Sequence, residues 1–137
     1  MASAPGWVGV TFPEHKQINR VVVHTVDSPI LPAAKYGVRE LRLFYRKTSA
    51  IGLSNWVEVQ AIGNTKKTKS LIAGNNKGVI MFRFQPVKTD SIRVLVLDTN
   101  DAKEVGKGTL REGTVRLIEI AVYGFEKKPV VPELSKM

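Results

Sequence analysis

The sequence predicts an all-β domain, an antiparallel sandwich of about seven to eight strands. Three observations lead there. Most apolar segments alternate with a period of two, the mark of half-buried strands. Those segments are rich in Val, Ile, Phe and Tyr, which suit a pleated surface. No stretch keeps a 3.6-residue period through three helical turns.

The segments follow in order. Residues 6–12 (GWVGVTF) alternate loosely, and 18–26 (INRVVVHTV) are β-branched between Pro13 and the Asp27-Ser28-Pro29 turn. In 38–46 (VRELRLFYR), Leu41, Leu43 and Tyr45 share one face, and Arg42, Phe44 and Arg46 the other. Residues 56–61 (WVEVQA) put Trp56, Glu58 and Gln60 opposite Val57 and Val59. Residues 79–84 (VIMFRF) and 91–97 (SIRVLVL) are strands, and the intervening PVKTD makes 79–97 a β-hairpin with a medium loop. Residues 117–125 (LIEIAVYGF) close the set. There is room for one short helical turn near 101–105. Three long loops remain, 27–37, 63–78 and 98–115, and binding residues concentrate on such loops.

At 137 residues with 43% hydrophobic content, the chain supports one core. Residues 1–125 are expected to form a single domain. Residues 126–137 (EKKPVVPELSKM), polar and twice interrupted by proline, read as a linker or tail. There is no cysteine, which removes disulfide frameworks and thiolate metal sites. Residues 1–6 show no basic and apolar leader pattern, and no apolar run reaches membrane-spanning length. The net charge of +9 favours anionic partners.

Catalysis is not expected. His15 and His24 are the only histidines, with no metal-ligand spacing between them, and the acidic residues are scattered. The Gly106-Lys107-Gly108 pattern falls short of a phosphate loop.

The order of motifs resembles a known superfamily. It runs Gly6-Trp7-Val8-Gly9-Val10, Ile18-Asn19-Arg20-Val21-Val22-Val23, Asp27-Ser28-Pro29, Trp56-Val57-Glu58-Val59 and Gly63-Asn64-Thr65. The stretches FRFQPVKTDSIRV (82–94) and RLIEIAVYG (116–124) follow. From Trp7 to Gly124 this resembles the discoidin, or coagulation-factor type C, superfamily, whose members include bacterial carbohydrate-binding modules. The resemblance implies a galactose-binding-domain-like jelly roll, a secreted or surface location, and a carbohydrate-binding or adhesion role. Relatives usually carry one more strand and a calcium-binding loop before the Trp strand. Here only Met1–Gly6 precede Trp7, so those ligands are missing. Glu119 matches the glutamate that often completes the calcium shell. A lone carboxylate does not supply six to eight oxygens, so no cofactor is expected. The shortened front implies an open sheet edge, where a protein partner or a second copy could add a strand.

The candidate ligand-binding residues lie on the long loops. Asp27, Ser28 and Tyr36, with Arg39 just beyond, offer planar polar groups and one aromatic face for a saccharide. Residues 63–78 offer Asn64, Asn75 and Asn76 with Lys66, Lys67, Lys69 and Lys77, and Arg111 and Arg116 could extend the basic patch. Lysines without interleaved aromatics suit a diffuse anionic polymer or membrane surface better than stacked bases, so nucleic acid is not the expected partner. Trp7 and Trp56 read as core or sheet-face residues rather than sugar platforms. Three roles stay open: glycan binding, assembly into a larger particle or surface layer, and binding to an anionic surface.

Overall fold

In a computed structural model of the chain, residues 3–104 and 111–125 are described. The tail expected at 126–137 lies outside the described residues. The strands are β1 (Ser3–Ala4), β2 (Gly6–Thr25), β3 (Val38–Thr48), β4 (Ser54–Glu58), β5 (Val79–Thr99), β6 (Lys103–Glu104), β7 (Arg111–Thr114) and β8 (Leu117–Phe125). They form a five-stranded sheet ordered β4-β3-β5-β2-β8 and a three-stranded sheet ordered β1-β7-β6. All pairings are antiparallel.

The two longest strands differ from expectation. Residues 79–97 do not fold back as a hairpin; β5 runs through the Pro86 region and pairs along its length with β2. The reason lies in the register. Between Thr11↔Ser91 and Lys16↔Thr89, β2 advances five residues while β5 retreats two. Between Ile18↔Val87 and Arg20↔Arg83, β2 advances two while β5 retreats four. Pro13 falls in the first irregularity and Pro86 in the second. A residue without an N–H is tolerated where a ladder bond is already lost. The turn-like composition of PVKTD therefore serves a bend between strand halves. The net offset of one residue also moves the inward set of β2 from Val8, Val10 and Phe12 to Val21 and Val23.

Each long strand thus serves two sheet halves. The front half orders β4, β3, the end of β5 and the start of β2. The back half orders the start of β5, the end of β2 and β8. Their inner faces meet in one apolar cluster: Leu41, Leu43, Ile92, Val94 and Val96 from the front, Val21, Val23, Ile80, Phe82 and Phe84 from the back. Each such side chain contributes about 1.5–3 kcal/mol when fully buried.

Among the described residues there is one helical turn, but not at 101–104, where Lys103–Glu104 pair as a strand. It is α1 (Ala33–Tyr36), started by Pro32 and closed by a bond from the Gly37 N–H to the Ala33 carbonyl. Along Gly6–Thr11, β2 pairs with β5 on one side; no strand pairs with its other side among the described residues.

Candidate functional site

Three connections converge at the end of the sandwich where β2 finishes and β5 begins. The Asp27 carboxylate accepts the Ala33 N–H at 3.1 Å, and the Ser28 hydroxyl accepts the Leu31 N–H at 2.9 Å. These bonds fold 27–37 against the sheet. Gly78 lets the second connection lie against Asp27, because a Cβ there would come within 2.6 Å of the Asp27 Cβ. Asn75 donates its side-chain amide to the carbonyls of Val38 at 2.8 Å and Lys77 at 2.9 Å, and its own N–H to the Arg39 carbonyl at 2.9 Å. From the third connection, the Asn100 amide joins the other two through the carbonyls of Ala33 at 2.9 Å and Asn75 at 3.0 Å.

Arg116 completes this end. It donates to the Asp101 carboxylate at 2.7 Å and stands 5.5 Å from the centre of the Tyr36 ring. Partial burial pushes the Asp101 carboxyl up, but hydrogen bonds from Thr99 and Arg116 and the Arg116 charge outweigh it and hold it below the usual range.

The structure therefore brings Asp27, Ser28, Tyr36, Arg39, Asn75 and Asn76 to one end. It divides them by what they have left to offer. Asp27 and Asn75 are engaged in bracing the loops. Arg39 is 49% exposed, 3.9 Å from Asp98, and Asn76 is exposed. The Tyr36 hydroxyl and the Asn76 amide have no hydrogen-bond partner among the described residues. Sequence reasoning missed Asn100; the polar run Asp98-Thr99-Asn100-Asp101 after an apolar strand was its signal.

The remaining candidates sit elsewhere. Asn64 donates to the Lys69 carbonyl at 2.9 Å, and Gln60 donates to the carbonyls of Asn64 and Thr65. Together they brace a loop that leaves Lys66 and Lys67 exposed. That loop is anchored where Ala61 bridges Phe84, five residues up β5 from Val79, or about 16 Å along the strand. Arg111 opens β7, and its side chain lies outside the described residues. Glu119 is exposed on β8 opposite His24. Among the described residues no three His, Cys, Asp or Glu converge on a point that could hold a metal.

A second concentration of side chains covers the outer face of the front half. Trp7, Phe44, Trp56 and Arg93 come from four adjacent strands. The Arg93 guanidinium carbon lies 4.1 Å from the Trp7 ring centre and 4.0 Å from that of Trp56. Trp7 meets Phe44 edge-on with ring centres 5.2 Å apart. Both tryptophans are therefore sheet-face residues, with Trp7 46% exposed.

A scan against protein-family models finds no match, and neither does a comparison with curated protein sequences. Solved structures do match. GH31 CBM32-2, solved bound to GalNAc, superposes with a TM-score of 0.61 at 12% identity, over 90% of this chain and 66% of that one. The family 32 carbohydrate-binding module of Streptococcus pneumoniae EndoD gives 0.57 at 15% identity, over 88% and 73%. The family 32 module of C. perfringens NanJ, in complex with galactose, gives 0.55 at 14% identity, over 90% and 69%. The chain shares the antiparallel β-sandwich, jelly-roll fold of these modules. These three structural neighbours are carbohydrate-binding modules.

Proposed function

We propose that this chain is a non-catalytic carbohydrate-binding module that holds a saccharide at the loop end bearing Tyr36, Arg39 and Asn76. The observation that carries the reading is the convergence of three braced connections around groups still free to bond. Asp27, Asn75 and Asn100 fix the backbone, so the loops lose little entropy when a sugar arrives. Tyr36 offers a ring face to the C–H side of a pyranose. Arg39 and Asn76 offer planar donors to adjacent hydroxyls. Neighbours of the same fold bind GalNAc and galactose, which makes a neutral hexose the first ligand to try.

A glycan array followed by titration calorimetry tests this. A hexose-containing glycan should bind with a Kd of about 1 mM or tighter, and Tyr36→Ala should weaken it about tenfold, or ~1.4 kcal/mol. Binding indifferent to Tyr36→Ala, or none across the array, would count against the site.

No described strand pairs with the second side of Gly6–Thr11, which favours a second reading, in which another chain adds a strand there. Sedimentation measures it: a concentration-dependent rise in mass supports self-association, and a strict monomer opposes it.

A further inference from the structure

We infer that the outer face of the front half is a second glycan subsite, separate from the loop end, and that it takes a carboxylate-bearing saccharide through Trp7 and Arg93. This rests on the reading of the chain as a glycan-binding module.

The argument begins with how the arginines on this face are partnered. Arg42 donates to Glu58 at 2.7 Å, and Arg46 makes two bonds to Asp90, at 3.0 and 2.7 Å. Arg93 lies between them in the register, opposite Phe44 on one side and Gly9 on the other. It has no carboxylate and no hydrogen-bond acceptor among the described residues, and its Nε is buried without a partner. A buried donor left without an acceptor is destabilising. Two indole rings, centred 4.1 and 4.0 Å from its carbon, hold this guanidinium in place. With Nε buried, the two terminal nitrogens are the donors that a ligand would meet.

That geometry selects the ligand. A guanidinium edge matches a carboxylate, which accepts two parallel N–H bonds. Gly9 puts no side chain beside Arg93, and the face continues to Trp7, whose indole is 46% exposed. An exposed indole takes the C–H face of a sugar ring. A uronic-acid oligomer supplies both groups on one rigid chain, with one ring on Trp7 and a carboxylate at Arg93. The net charge of +9 favours such a polyanion and opposes a second copy of this chain as the occupant.

The test uses the whole chain and two probes, a de-esterified oligogalacturonate and its fully methyl-esterified counterpart. The acid form should bind and the ester should bind at least about tenfold more weakly. Arg93→Gln should lower affinity for the acid about tenfold and leave neutral-hexose binding at the loop end unchanged. Trp7 and Trp56 are the chain's two tryptophans, so the acid form should also shift the emission of the unmodified protein. That measurement decides the matter even if Arg93→Gln fails to fold. Equal binding of acid and ester, an unchanged emission, or a fully binding Arg93→Gln overturns the proposal. So does poly-glutamate binding as tightly with the same Arg93 dependence, which would make the partner an acidic protein. Loss of neutral-sugar binding alone would sink the loop-end site and leave this one standing.

Discussion

A single carboxylate shows how this fold uses its charges. Glu58 accepts from Arg42 at 2.7 Å, from the Ser70 hydroxyl at 2.8 Å and from the Ser70 N–H at 3.2 Å. The buried Ser70 hydroxyl in turn accepts the Leu43 N–H at 2.8 Å. Glu58 thereby ties the connection after β4 to the middle of β3. Partial burial raises its carboxyl pKa, but the bonds from Arg42 and Ser70 and the Arg42 charge outweigh that and leave it below the ordinary 4.5. A lowered folded value means stability that is complete above the ordinary pKa and is lost as pH falls through the folded one. Asp90, held down by its hydrogen bonds from Arg46, and Asp101 act in the same direction. Glu58→Ala should cost roughly 2 kcal/mol near neutral pH, because it strands the Ser70 donors and the Arg42 charge. Urea midpoints taken from about pH 7 to about pH 3 should show the gap between the two proteins closing at the acid end. A gap of constant size would show that the Glu58 charge contributes nothing.

At the scale of the element, the bend shared by β2 and β5 is what turns one long ladder into two packed halves. Thr89 sits at it with no exposed surface. Its hydroxyl lies 2.8 Å from the Arg46 carbonyl, which it can donate to, and accepts the Ser91 N–H at 3.1 Å. Thr89→Val keeps the volume and removes both bonds, so it should cost about 1–3 kcal/mol in thermal or urea unfolding, with Thr89→Ser recovering most of it. Equal losses for both changes would mean that the methyl group matters and the hydroxyl does not. The same bend marks where the sequence stops being legible. Alternation in 79–84 and 91–97 reveals strands and inward faces directly. The composition of PVKTD signals a turn, and only pairing with β2, some 70 residues away in sequence, makes it a bend within one strand. The loop end was legible as clusters of Asp, Asn and Tyr. Which of those residues brace the loops and which remain free depends on backbone carbonyls that arrive from distant strands. Trp7, Arg93 and Trp56 meet only through the registers of β2, β5, β3 and β4, and no spacing along the chain announces that meeting.

At the scale of the whole molecule, charge separates the two proposed subsites. The excess of 21 basic over 12 acidic residues creates a field that any anionic ligand feels before contact. A neutral hexose at Tyr36 and Asn76 does not feel it. The screening length is about 10 Å at 0.1 M salt and about 3 Å at 1 M. Raising salt from about 0.05 M to about 0.5 M should therefore weaken oligogalacturonate binding about tenfold and change neutral-sugar binding less than about twofold. The exposed Lys66 and Lys67 lie far from Arg93 along the chain and on a separate loop, so their contribution is to the field rather than to the contact. Neutralising both as Lys66→Gln and Lys67→Gln should slow association with the polyanion at low salt and leave its dissociation rate nearly unchanged. Arg93→Gln should do the reverse, acting mainly on dissociation. Stopped-flow tryptophan emission measures both rates. If the lysine changes accelerate dissociation instead, the polyanion sits on their loop, and the indole-held arginine has only a structural role.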